Sequence, residues 1–218
     1  MQRKILTENK MLILKEGKKL VEIARKELDS YFKDQEIKKL DIKINKNLKK
    51  RAGVFVSLHT YPDNNLRGCI GIGFPLAKMS LLESVREAVK ASAFEDPRFM
   101  PLIKDELDKI IIEISILTKP EMIKVREKKP EDIFSDIEIG KDGLMLEYSG
   151  YVGVFLPQVP VEQKWDVEHY LEQLCLKAGV SPKTWKNKSC KIYKFQAQIF
   201  SEAMPRGEVK EIKLKIKQ

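Results

Sequence analysis

"AGVFVSLHT" (52–60), "YPDNN" (61–65) and "LRGCIGIG" (66–73) decide the reading of this chain. Both flanking runs alternate apolar residues with polar or small ones, and the segment between carries turn residues, so the three together spell a β-hairpin. An antiparallel register in which paired positions sum to about 126 sets Val54 opposite Ile72 and Val56 opposite Ile70. Any even shift keeps the same faces, because side chains repeat every two residues. One face is then apolar. The other carries Phe55, Ser57 and His59 beside Arg67, Cys69, Gly71 and Gly73.

That second face gathers the residues with chemical potential and forms a candidate pocket. Glycine within a strand marks close approach of a ligand or of another backbone. Cys69 is the candidate nucleophile, because a thiol reacts as thiolate and a neighbouring Arg67 or protonated His59 lowers its pKa. The plainer alternative makes Cys69 a small buried hydrophobe, with the glycines admitting a helix.

The remaining chain reads as an α+β fold on a mainly antiparallel sheet flanked by helices. Helical spacing runs through 15–32, where Leu20, Val21, Ala24, Leu28 and Tyr31 share a stripe, and through 75–96, where Pro75 suits a helix start. "QEIKKLDIKINKNLKKR" is mixed and Lys-rich, a surface loop. "IKDELDK" predicts a short helix and "IIIEISILT" (110–118) a strand. Strands surround the "GKDG" and "SGY" turns. A helix fits 164–179, ending at Gly179, and one last strand fits 190–203.

The 218 residues carry a net charge of +9, unevenly spread. Residues 1–52 hold 16 Lys and Arg against 8 Asp and Glu, and residues 183–218 hold 10 against 3, while the middle is acidic. Solvated, solubilising ends explain this pattern without a ligand. Any weak nucleic-acid attraction would arise at these basic termini. No aromatic-basic RNA-reading motif accompanies them. The longest apolar runs are too short to span a bilayer, and the N-terminus lacks the apolar core of a secretory signal, so no membrane role is expected. Cys69, Cys175 and Cys190 are too widely spaced for a disulfide framework or a zinc knuckle, which indicates a cytoplasmic protein with reduced thiols.

Other features are weaker. Glu113 and Ser115 share a strand face, where Glu113 is either an ion-pair partner for Arg67 or Arg98 or a general base. Asp96 and Arg98 in "EDPRF" make a turn ion pair or an anion-binding arm. "GCIGIGFPLA" fails the dinucleotide pattern, since Leu76 stands where a third glycine belongs. With two histidines and no metal-ligand spacing, neither a metal site nor a cofactor is expected. Cys175 lies on an apolar helical stripe and reads as core. His169 reads as surface, and Trp165 and Trp185 as packing residues.

"LRGCIG" (66–71) resembles the hallmark hexapeptide of the AMMECR-one domain family. "AVKASAFEDPRF" (88–99), "IEISILTKPEMI" (112–123), "EIGKDGLMLEYSGYVGVFLPQVPVEQKW" (138–165) and "LCLKAG" with "TW" (174–185) follow in the order of that family's elements. The resemblance covers about residues 12–200 and leaves 201–218 as a basic C-terminal tail. The lysine content and short N-terminus resemble archaeal members. The resemblance implies two lobes with a cleft between them, the larger lobe holding both termini and the hexapeptide lying beside the cleft. It adds Gly68, Gly71, Asp96, Arg98 and Gln158 as candidate binding residues. It also implies a functional link to Memo-type and radical SAM proteins, without fixing a reaction.

Two functions remain open from the sequence. In the first, an enzyme acts on an anionic substrate, with Cys69 as nucleophile, Arg67 as its electrostatic partner and His59 or Glu113 as base. In the second, a non-catalytic binding or regulatory module holds a nucleic acid, a nucleotide, another small molecule or a protein partner, with Arg67 and Arg98 gripping phosphate or carboxylate. A scaffold whose hexapeptide serves only to fit the lobes together is a third, blander alternative.

Overall fold

The computed structural model describes residues 12–33, 46–73, 79–124 and 129–213. In chain order these form α1 (Leu14–Tyr31), β1 (Gly53–Thr60), β2 (Leu66–Ile72), α2 (Leu81–Phe94), β3 (Ile110–Leu117), β4 (Glu121–Ile123), β5 (Gly143–Tyr148), β6 (Tyr151–Phe155), α3 (Gln158–Glu162), α4 (Val167–Lys177), β7 (Lys191–Phe195), β8 (Ala197–Glu202) and β9 (Val209–Ile212). The chain divides into two compact units. One holds the residues up to Lys119 together with Gln198–Ile212, and the other begins at Pro120 and runs to Ala197.

The first unit is a five-stranded sheet of order β2-β1-β3-β8-β9. The β1–β2 hairpin takes the expected register, Val54 opposite Ile72 and Val56 opposite Ile70. β3 flanks the other side of β1, antiparallel, with Ser57 opposite Glu113 and Val56 opposite Ile114. Val54, Val56, Leu58, Ile110, Ile112 and Ile114 bury one face in a core shared with Leu20, Val21, Ala24 and Leu28 of α1 and Val85, Ala88 and Val89 of α2. The period-two pattern of the strands and the 3.6-residue stripe of the helices thus meet across one apolar layer.

α2 starts at Leu81, with Ser80 as N-cap and the Glu83 carboxylate accepting the Ser80 N–H at 2.7 Å. This Ser-x-x-Glu capping box sets the helix start, because it satisfies orphan donors of the first turn. The expected start at Pro75 lies outside the described residues, as do residues 35–45 of the expected Lys-rich loop. "IKDELDK" forms a single 3-10 segment, Lys104–Lys109.

The second unit is a four-stranded sheet of order β4-β7-β5-β6 with its own core of Leu144, Leu146, Ile192, Leu171, Leu174 and Trp185. Ser149 and Gly150 both take positive φ (49° and 86°) in the β5–β6 turn, which suits the right-handed twist of a two-residue hairpin. Asp166 caps α4 by accepting the His169 N–H at 2.8 Å.

The last strand expected over 190–203 is two strands that join different sheets. β7 pairs with β4 and β5, whereas β8 pairs with β9 in the first unit's sheet. Residues 201–212 are therefore framework rather than tail, and residues 214–218 lie outside the described residues. Glu202 in β8 is buried and takes the Arg25 guanidinium of α1 through two contacts, one of them at 3.1 Å. Arg25 also donates to the carbonyls of Leu107 (2.8 Å) and Ile110 (2.9 Å), and the Ile112 N–H donates to Glu202 (2.9 Å). A buried ion pair persists only when its remaining hydrogen-bonding groups are met this way. Among the described residues no helix is long and apolar enough to cross a membrane.

Candidate functional site

Among the described residues β2 is the terminal strand of its sheet, so its outer backbone edge needs partners that none of their strands supplies. The "EDPRF" segment supplies them with side chains. The buried Asp96 carboxylate accepts the Cys69 N–H at 2.8 Å, and Arg98 Nη2 donates to the Cys69 carbonyl at 3.1 Å. Arg98 Nε and Nη2 also bind Asp96, at 2.9 and 2.7 Å, in a bidentate pair. Arg98's hydrogen bonds hold the Asp96 carboxyl down to about 2 against the opposing effect of burial, with help from the Cys69 N–H. Asp96 and Arg98 together imitate the neighbouring strand that Cys69 lacks.

On the inner side, α2 presses on the hairpin through Ser92. The Ile70 N–H donates to Ser92 Oγ at 2.9 Å, and that oxygen lies 2.7 Å from both the Val56 and the Ala88 carbonyls. The hydroxyl therefore bridges the two strands between Ile70 and Val56. A Cβ on Gly68 would come within 2.1 Å of the Ser92 carbonyl oxygen, so only glycine admits the helix there. Gly71 is filled from its own face, because a Cβ would lie 2.3 Å from the Phe55 ring. Of the close approaches left open for these glycines, Gly68 receives a helix backbone, as the plainer alternative has it, and Gly71 an aromatic ring. Of Gly68, Gly71 and Gly73, the last has nothing within 4 Å of a built Cβ.

Cys69, Ser57 and Glu113 form one cross-strand row over β2, β1 and β3. Ser57 Oγ donates to Cys69 Sγ at 3.3 Å, a contact favoured by the close approach of directly opposed side chains. Burial pushes the Cys69 thiol above its ordinary value. Ser57 and Arg98 pull it down, and the nearby Asp96 and Glu113 carboxylates add to the upward push. The net upward direction is opposite to the lowering that activates a cysteine nucleophile.

Arg67 does not serve as the electrostatic partner of Cys69. The register slips between Leu58 and His59, which leaves Arg67 as the extra residue of a β-bulge. A bulge re-aims its side chain, and Arg67 forks onto Glu106 at 2.7 and 3.0 Å. Burial raises Glu106, but Arg67 and the Ile103 N–H outweigh it and leave the carboxyl below its ordinary value. The guanidinium carbons of Arg98 and Arg67 stand 5.4 and 6.0 Å from the centre of the Phe99 ring, within cation–π range. His59 occupies the expected face, opposite Leu66. Burial lowers its pKa, against a smaller raising effect of the Asn64 backbone, and among the described residues no carboxylate hydrogen-bonds the ring to orient it as a base.

Gln158 belongs to the second unit, in α3, where its buried Oε1 has no hydrogen-bond partner among the described residues. Ser57, Ser92 and Glu106 acquire structural roles that their spacing did not assign. Strand parity placed Ser57 on the right face, but no sequence signal ties Glu106 to Arg67. Among the described residues no group of three His, Cys, Asp or Glu side chains is placed to hold a metal ion.

Comparison with known proteins agrees with this architecture. A protein of Methanocaldococcus jannaschii, MJ0810, is 48% identical over 206 residues, covering 94% of this chain and 99% of its own. A protein of Aquifex aeolicus is 42% identical over 199 residues, 91% of this chain and 98% of its own. The crystal structure of the uncharacterised protein PH0010 from Pyrococcus horikoshii superposes with a TM-score of 0.83 at 40% identity, covering 92% of this chain and 98% of that one. None of these names states an activity. The AMMECR1 family model matches residues 21–200, and the chain belongs to the AMMECR1 family.

Proposed function

We propose that this protein is a non-catalytic binding module that holds a phosphate-bearing ligand at Arg98, beside Phe99 on the outer edge of β2. One observation carries the reading: Arg98 is 51% exposed yet fixed by Asp96 and by the Cys69 carbonyl. A guanidinium already oriented loses little freedom on binding an anion, which is where preorganised sites gain affinity. The upward push of burial on the Cys69 thiol supports the same reading, since a nucleophile would need the thiolate.

Calorimetric titration with inorganic pyrophosphate and with a single-stranded oligouridylate tests it. Arg98→Ala is expected to weaken binding about tenfold or more, a loss of roughly 1.4 kcal/mol, while Cys69→Ser leaves it within about twofold. Absence of binding by both probes, or loss on Cys69→Ser alone, overturns the reading. A salt-dependent affinity for the oligouridylate alone that survives Arg98→Ala would assign binding to the basic ends instead. Alkylation of Cys69 by iodoacetamide against pH tests the enzyme alternative. A rate plateau with an apparent pKa below about 8.5 would restore the nucleophile.

A further inference from the structure

The Arg98 guanidinium stands in an apolar setting. Met100 is 80% exposed, Ile103 59% and Leu66 38%. Contacts within the first unit join the three. The centre of the Phe99 ring lies 5.4 Å from the Arg98 guanidinium carbon and 6.0 Å from that of Arg67. Arg67 forks onto Glu106, and the same carboxylate accepts the Ile103 N–H at 2.9 Å. Met100 follows Phe99 in the chain, and Leu66 precedes Arg67. Large apolar side chains gathered at a surface and rimmed by polar ones mark interaction sites, whereas single ones need no explanation.

Charge narrows what this surface fits. Of its two arginines, Arg67 is partly buried and committed to Glu106, and Arg98 turns half its side chain to solvent. Lys104 and Asp105, both exposed, follow Ile103 with opposite charges. A single-stranded nucleic acid carries a phosphate at every nucleotide and follows a track of cations and open aromatic faces. Here one open guanidinium adjoins apolar side chains, and Phe99 already has two guanidinium groups against it. Strand addition is closed at Cys69, whose N–H and carbonyl are taken by Asp96 and Arg98. Recognition therefore falls to side chains rather than to a shared sheet.

We propose that this surface docks an extended protein segment bearing one phosphorylated side chain, with the phosphate on Arg98 and neighbouring apolar side chains against Phe99, Met100, Ile103 and Leu66. The inference rests on the anion site at Arg98 and adds the class of its ligand. An extended chain advances about 3.3 Å per residue, so separations of 5.4 and 6.0 Å set the apolar residues within about four positions of the phosphate.

The test passes short peptides with one fixed phosphoserine and randomised flanks over the immobilised full-length protein, beside the same peptides without phosphate. Retained peptides are read by mass spectrometry, and the most enriched one is titrated. Retention is expected to need the phosphate and to enrich Leu, Ile, Met, Phe or Tyr at a fixed position beside it. Arg98→Ala abolishes retention. Met100→Gln combined with Ile103→Gln weakens the selected peptide about tenfold more than it weakens pyrophosphate, because apolar contacts are lost. Pyrophosphate binding without apolar enrichment overturns this inference and leaves the anion site standing. Absence of binding by pyrophosphate, oligouridylate and peptides alike overturns both together. Peptide affinity insensitive to the double substitution also overturns the inference. So does tighter binding of oligouridylate than of the selected peptide. Sedimentation with phosphatidylserine vesicles, lost in the double variant and without peptide retention, would assign the patch to a membrane surface and overturn it too.

Discussion

Two of the ion pairs that anchor the first unit's sheet differ in almost every respect that matters. Arg25–Glu202 is sealed: its side chains are 7% and 4% exposed, and it ties α1 to β3 and β8 through backbone carbonyls and an N–H. Asp96–Arg98 hides its carboxylate and turns its guanidinium to solvent, binding the backbone of a single edge residue, Cys69. Charge of the same kind serves different ends because desolvation differs. A sealed pair is costly to create and worse to break, so it specifies how elements fit together. A half-open pair remains available to a ligand.

The largest expected effect lies in the sealed pair. Glu202→Ala leaves Arg25 buried without its carboxylate and is expected to cost about 3–5 kcal/mol in urea unfolding. A loss below about 1 kcal/mol would erase the contrast between the two pairs. Next comes Gly68→Ala, which drives a methyl group against the Ser92 backbone. It is expected to cost about 1–3 kcal/mol, whereas Gly71→Ala meets a side-chain ring that can rotate away and costs less. Equal losses at the two glycines would deny that the helix backbone is the tighter neighbour.

Asp96→Asn is expected to cost about 1–3 kcal/mol by weakening charge-assisted bonds to Cys69 and Arg98. Its pH signature is sharper than its size. The Asp96 carboxyl is held at about 2 in the fold against an ordinary 3.8. Its stabilisation is therefore present above about pH 4 and is lost as pH falls towards 2. The Asn variant should lack that part of the acid transition, and an unchanged acid profile would remove Asp96 from the clamp. The smallest effect is expected from Cys69→Ser, under about 1 kcal/mol, because a hydroxyl keeps a partner for Ser57.

The hairpin shows how far local pattern reaches. Alternation fixed which residues of β1 and β2 share a face, and the Val54–Ile72 register followed from the apolar set alone. The bulge at Arg67 did not follow, since one extra residue in a strand leaves no mark in composition, yet it moves a guanidinium from a thiol to Glu106. Space was equally unreadable. A glycine reports that something approaches, and only the packed structure says that Ser92 and Phe55 are what approach. The expectation of a helix start at Pro75 passed over the Ser80–Glu83 capping box, which sets the start of α2 at Leu81 because it answers orphan N–H groups directly.

The sequence by itself determined the α+β class, the faces of the first hairpin, the stripes of α1, α2 and α4, and family membership, all of which depend on residues near one another in the chain. Tertiary structure alone decided that residues 190–203 divide at Gln196 between two sheets, that Glu202 belongs to a buried pair, and that Cys175 and Cys190 share one core. It also decided the upward push on the Cys69 thiol, which comes first from burial, with small additions from the Asp96 and Glu113 carboxylates. Periodicity records which way a side chain points. What it meets there depends on partners distant in sequence, and those partners set its charge and its chemistry.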